Sequence, residues 1–426
     1  VSSTIVEIDA QSNTFESLST RAYGTPEHAD LIRSANGTFK DRETIPIGVT
    51  LIIPDRQADP GAQSSKTESA FSPNVKQSVE DDGTNNVSLS IDGKEFQFWE
   101  SLAFTRSLDA IDGITFQAPF DPEYAEFREM FRPLSFKDVE LKIGGGLAFS
   151  GTLVGVSPVN QPDRRFVLIS CYSKSGVLQD CTLPPGSFPK NEISNQKLTG
   201  IASSVLAPFG LGYSFLEDPG VKFDRVAIEP AAKVFDFLVT LAKQRGFVMS
   251  SDADGDLVFW KGKTDGPNVA RLKEGNPLIQ SIEASFSPQQ YFSEITAISP
   301  TSTGKDGQAL PAKNKRFDGF RPFVFKSVDS QGVDSQQASD AALGRMFGNV
   351  VSYTANISTW RDESGARWEP NTFIEIEYPS AMIYRPTKFL IRSATFEQTS
   401  RSDTATLQLV LPSSFSETAP EVLPWE

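Results

Sequence analysis

Three regimes of hydrophobic patterning follow one another along the 426 residues. In the first, Phe15, Leu18 and Ala22 recur at helical spacing, Ala29, Leu31 and Ile32 mark a second short helix, and Ile45, Val49, Leu51, Ile52 and Ile53 read as a closing strand. This predicts a βααβ module over residues 1–54, with Asn13 or Thr14 capping the first helix and Gly24 ending it. Residues 55–84 carry Pro, Gly and Ser with no sustained apolar period and read as a flexible linker.

From Val87 the period changes to two. Val87, Leu89 and Ile91 alternate with serines, Asp92-Gly93 is a hairpin turn, and Phe96, Phe98, Leu102 and Phe104 continue the buried face. Residues 108–116 read as the next strand, and a helical insertion follows over 118–136. Two longer strands come next, with Val154, Val156, Phe166, Leu168 and Ile169 as inward positions. The span 85–185 is expected to form one small β-barrel. In the following region, 186–278, Ile193, Leu198, Ile201, Ala202 and Val205 form a helical stripe. A second helix over Val234, Phe235, Leu238, Leu241 and Ala242 ends at Gly246 before a hairpin, which predicts a small α/β domain. A second β-barrel is expected over 279–412: Ile282, Ala284 and Phe286, then Phe292, Ile295, Ala297 and Ile298, a helix over 335–347, and alternating strands at 351–357, 374–376, 389–391 and 405–411. Residues 413–426 form a tail. The fold class is multidomain and mainly β.

The chain carries 32 phenylalanines and a net charge of −14, a balance that disfavours a sequence-independent grip on DNA or anionic lipid. No run approaches the roughly 18 apolar residues of a membrane span. Cys171 and Cys181 read as two partly buried thiols, and His28 is the single histidine, so a zinc site or a histidine-based triad has little to work with. Asp252, Asp254 and Asp256 alternate as calcium ligands do. With five residues between strands and no glutamate at the twelfth position, they serve better as a hairpin turn. No cofactor or metal is expected.

The first module resembles the LysM family through Thr14, Phe15, Leu18, Arg21, Tyr23, Gly24, Ile32, Ala35, Asn36, Ile45, Gly48, Leu51, Ile53 and Pro54. Members of that family bind peptidoglycan or chitin in a shallow groove, which is also a protein-docking surface. The body resembles the baseplate hub proteins of contractile-tailed bacteriophages, the Mu-like family and its T4-like relatives. Phe149, Gly151, Leu153, Val154, Arg165-Phe166-Val167-Leu168, Gly176-Val177-Leu178 and Asp180-Cys181 carry one part of that likeness. Trp360, Gly365, Trp368-Glu369-Pro370-Asn371, Ile374, Ile376, Pro379, Phe389-Leu390-Ile391, Phe396, Thr406, Leu407 and Leu409 carry the other.

The resemblance implies a homotrimer whose six β-domains adapt the six-fold tail tube, or a tube-initiator protein, to a three-fold central spike. DNA would pass through its channel without specific binding. Baseplate wedge proteins are further implied partners, with the LysM-like head as one candidate contact. The location would be the tail baseplate of the virion, after assembly in the host bacterial cytoplasm. Candidate interface residues are Phe120, Tyr124, Phe127, Met130 and Phe131 in the insertion, and Trp360 and Trp368 in the last β-region, for which local packing is the other reading. Glu123, Glu126 and Glu129 are the carboxylates that a cell-wall glycan hydrolase would need; a peptidoglycan-binding tail protein is the remaining alternative.

Overall fold

A computed structural model describes residues 3–7, 14–23, 26, 29–35, 50–54, 82–184, 192–227, 231–298, 311–326, 332–415, 420 and 422–426, in two compact units split after Ser69. Expectations at Gly24, His28, Ile45, Gly48, Val49 and residues 55–81 lie outside the described residues.

In the first unit, β1 (Ser3–Glu7) pairs antiparallel with β2 (Thr50–Pro54), and α1 (Phe15–Tyr23) and α2 (Ala29–Ala35) stand between them in sequence. Thr14 caps α1: its hydroxyl accepts the Ser17 N–H at 3.1 Å, satisfying one of the helix's orphan donors. Phe15, Leu18 and Ile32 are buried, and Arg33 lies over the Phe15 ring.

The second unit begins with β3 (Val87–Ile91), β4 (Lys94–Phe96), β5 (Ser101–Ser107), β6 (Gly113–Pro119), α3 (Ala125–Met130), β7 (Asp138–Ile143), β8 (Gly146–Gln161) and β9 (Arg164–Ser173). Asp92 and Gly93 both have positive φ, the geometry of a two-residue hairpin that follows the strand twist. Three expectations change here. Residues 108–112 are not strand: they form the loop before β6. Phe98 is exposed rather than inward. Leu168 is 44% exposed while Val167 and Ile169 are buried, because neighbours on a strand point to opposite faces and only one of Leu168 and Ile169 can face in.

After a short α4 (Val177–Asp180), the middle region holds β10 (Glu192–Gln196), α5 (Leu198–Leu206), β11 (Tyr213–Phe215), β12 (Phe223–Ala227), α6 (Val234–Gln244), β13 (Val248–Ser251) and β14 (Leu257–Trp260). β10 pairs with β12, and β11, β14 and β13 form a second small sheet. Ile193 sits in β10, one element before the helix whose stripe it was expected to share. The apolar faces of α5 and α6 close one core with Phe215 and Phe259, whose rings stack at 4.3 Å. Gly246, at φ +70°, turns the chain from α6 into the hairpin.

The last region contains β15 (Asn268–Lys273), β16 (Ile279–Phe286), β17 (Glu294–Ile298), β18 (Ala312–Lys313), β19 (Pro322–Lys326), α7 (Gly332–Val350), β20 (Val351–Ile357), β21 (Phe373–Tyr378), β22 (Ile383–Thr399) and β23 (Asp403–Val410). The helix expected over 335–347 is longer at both ends. β17, β18 and β19 form a sheet of their own.

Thirteen strands form a single sheet, ordered β16-β20-β23-β22-β5-β6-β9-β8-β7-β3-β4, with β21 on β22 and β15 on β21; β15 falls inside the span 186–278 expected as the α/β domain, so the last β-region starts before residue 279. The seam is β22 against β5, running antiparallel from Ser393 opposite Ser107 to Thr399 opposite Ser101. β22 is long enough to serve both sides: its first half pairs with β21, its second half with β5, and its register against β23 shifts between Ile391 and Ser393. Phe104 stacks on Phe396 across the seam at 6.0 Å, so one continuous apolar core underlies both β-regions.

Candidate interface site

The insertion between β6 and β7 is built outward from the core. Phe131 is buried edge-on against Phe96 at 5.4 Å, and Phe120, Phe127 and Met130 are half-buried against the same core. Tyr124 is 64% exposed beside Phe127, and past α3 Leu134 is 85% and Phe136 60% exposed. Five of the seven sequence candidates therefore fall in this insertion, where one is core, three are half-covered and Tyr124 projects. Sequence reasoning missed Leu134 and Phe136. Both have left-handed φ, +59° and +49°, which costs a non-glycine residue roughly 1–2 kcal/mol. Lys137, bridging Glu129 at 3.3 Å and Asp92 at 3.9 Å, ties the insertion to the β3–β4 turn.

Glu123, Glu126 and Glu129 are exposed on the same insertion. Glu129 is engaged with Lys137 and Arg132, the ordinary pairing of solvated charges.

Trp360 and Trp368 are fully buried within the chain. The Trp360 indole donates to the carbonyls of Thr404 at 2.8 Å and Glu397 at 3.2 Å, and its ring meets Phe396 edge-on; the Trp368 indole donates to Thr359 O at 2.9 Å. Their positions seal the end of the last β-region, a role that consumes both the apolar area and the N–H.

The loop 107–112 joins three regions. The Ser250 hydroxyl donates to Ser107 O at 2.6 Å and to Ala110 O at 3.0 Å, the Trp260 indole donates to Leu108 O at 2.8 Å, and the Asp112 N–H donates to Ser251 Oγ at 3.0 Å. Arg392, at the register shift of β22, forks onto Asp109 through Nε and Nη2 at 2.8–3.1 Å. Beneath it, Arg106 donates to Glu369 at 2.6 Å and lies 3.6 Å from the buried Asp112. Burial pushes the Asp112 carboxyl up to about 7 despite Arg106 and the Ser107 N–H it accepts.

The acidic loop 252–256 spends its carboxylates on the turn: Asp252 accepts the Asp256 N–H at 2.9 Å, and Asp256 accepts the Gly212 N–H at 3.0 Å. Gly255, at φ +88°, brings the turn against β8, where an added Cβ would lie 2.5 Å from Ser150 O. Cys171 is buried and free, its thiol pushed up to about 12 by burial; Cys181 is half-buried and free. Among the described residues no helix is long and apolar enough to cross a membrane.

Residues 175–261 match the family model for the second domain of gp44-like baseplate hub proteins. The baseplate hub protein gp44 of Escherichia phage Mu is 23% identical over 329 residues, 73% of this chain and 84% of that protein. The fold is similar to a 43 kDa tail protein of prophage MuSo2 from Shewanella oneidensis, with TM-score 0.64, 22% identity, and coverage of 77% of this chain and 98% of the other. It is also similar to a tail protein from Neisseria meningitidis MC58, with TM-score 0.64, 19% identity and the same coverage. The resemblance to Mu-like baseplate hub proteins thus extends from motif to family model, curated relative and fold. For residues 1–54 the LysM resemblance stands on its motif.

Proposed function

We propose that this chain is the structural hub of a contractile phage baseplate, three copies forming a ring with an open axial channel in the virion tail. The observation that carries the reading is the single sheet in which the two β-regions stand side by side. A body with two β-halves, repeated three times, presents six β-bodies around an axis, which is the geometry needed to meet a six-fold tube on one face and a three-fold spike on the other. The domain pattern supports it: a head at 1–54 on a linker at 55–84, β-regions at 85–185 and 279–412, and an α/β domain at 186–278 projecting outside the ring toward spike or wedge components. The exposed apolar insertion supports contact with a neighbour or the tube. The net charge of −14 suits a channel that lets DNA pass without adhesion. The role is architectural rather than catalytic.

Reconstruction of the assembled particle tests this. The expected result is a three-fold ring with an open axis and the two β-regions alternating at near six-fold positions. A solid axis, or only one β-region in the ring, overturns it.

A further inference from the structure

A cleft of about 380 Å³ opens between the C-terminal end of α6, the C-terminal half of α7 and the register shift of β22. Three cations line it, Lys243, Arg345 and Arg392, in a chain with a large excess of acid. Arg392 pairs with Asp109, a carboxylate that lines the same cleft and also favours the charged form of Lys243, so the lining holds three cations against one acid. Arg345 makes one long hydrogen bond of 3.4 Å to Lys243 O, and among the described residues no carboxylate lies within 4 Å of Arg345 or Lys243. A cation at the end of α6 has an ordinary explanation in the helix dipole, but that contact uses one of five guanidinium donors. Burial lowers Arg345 to about 10, and burial together with Arg345 lowers Lys243. Ser414 lines the same cleft at 2% exposure, and its hydroxyl has no hydrogen-bond partner.

We infer that this cleft binds a carboxylate carried on an apolar peptide group, held by Arg345 and Lys243 with the Ser414 hydroxyl as a further donor. The half-buried Arg345 and the buried, unpartnered Ser414 hydroxyl call for an anion, since a buried donor without an acceptor is costly, and Lys243 at the exposed rim adds its charge. The walls decide its class: Phe292, Phe323, Met346 and Phe415 surround the charges with apolar surface, which suits a hydrophobic residue at a chain terminus and offers a free phosphate nothing. The inference goes beyond the hub reading and does not need the ring, so it is tested on the full-length chain in solution.

Titrations followed by ligand-observed NMR would use N-acetyl-phenylalanine, its uncharged amide and inorganic phosphate. The acid should bind at least about tenfold more tightly than the amide, the worth of a charge-assisted hydrogen bond, and Arg345→Met should remove about that factor. Lys243→Met, at the exposed rim where folding is not at stake, should weaken the acid in the same direction. Equal binding of acid and amide, unchanged affinity in both variants, no binding of the acid, or binding of phosphate without the acid would each overturn the assignment.

Discussion

Thr105 and Thr395, 290 residues apart, share a hydroxyl hydrogen bond of 2.9 Å across the seam between β5 and β22. The two β-regions share one sheet and one core, and are expected to unfold as one body.

Phe396→Ala should show this. Removing the ring that stacks on Phe104 and meets Trp360 leaves a cavity under the seam, at about 3–5 kcal/mol. Urea unfolding of the body followed by tryptophan fluorescence and by far-ultraviolet circular dichroism should give coincident transitions, both shifted to lower denaturant. Separate transitions for the two β-regions would contradict a single body.

Leu134→Asn should raise the stability of the free chain by about 0.5–1 kcal/mol, because asparagine tolerates left-handed φ and the lost leucine is exposed. The same change should weaken assembly if the insertion docks on a neighbour. Sedimentation of the assembled particle components, alongside urea midpoints, would read both effects.

Trp360→Phe should behave in the opposite sense. Two backbone carbonyls lose their donor inside the core, at roughly 2 kcal/mol, while oligomer stoichiometry stays as it was.

Asp112 gives a pH signature. Its carboxyl is raised from 3.8 to about 7, so from about pH 4 to 7 the native state keeps a proton that the unfolded chain has released. The group's contribution is full below about pH 4 and is lost as pH rises through about 7. Asp112→Asn should flatten that fall, and the difference between the two proteins' urea midpoints across the window isolates it from other carboxylates. Parallel curves would place the proton elsewhere.

Deleting residues 1–54 should leave the body's unfolding unchanged, weaken attachment of peripheral baseplate or tube components and spare spike binding. Mass spectrometry of the resulting particles measures this. Intact composition with lost cell-wall binding would favour a peptidoglycan-binding head.

Strand identity was readable where the alternation is unbroken, and missed in β10 and β15, where only one or two apolar residues mark the buried face. In β20, Val351, Tyr353, Ala355 and Ile357 alternate inward as their period requires. Alternation fixes a strand's faces and says nothing of its neighbour, so the β5–β22 pairing had no local signal. At Leu168-Ile169 two adjacent apolar residues both read as inward, although a strand can turn only one of them in, and Val167 and Cys171 share the face of Ile169. Trp360 and Trp368 were visible as anchors, but whether an indole N–H meets its own chain or another is decided by carbonyls elsewhere in the fold, for Trp360 tens of residues away. The insertion stood out by its aromatic residues, while the exposure of Leu134 and Phe136 follows from backbone angles. Lys243, Arg345 and Arg392 come from α6, α7 and β22, and no spacing links them.

The seam also governs the order in which the chain is made. β5 leaves the ribosome long before β22, and at about 5–20 residues per second the intervening stretch takes some tens of seconds to appear. Through that interval the first β-region exposes an unpaired edge from Ser101 to Ser107, with Leu102 and Phe104 on its apolar face. A nascent edge of this kind is a template for the wrong partner. Polysomes carrying several copies bring such edges together, so mispairing competes with translation of the stretch between β5 and β22.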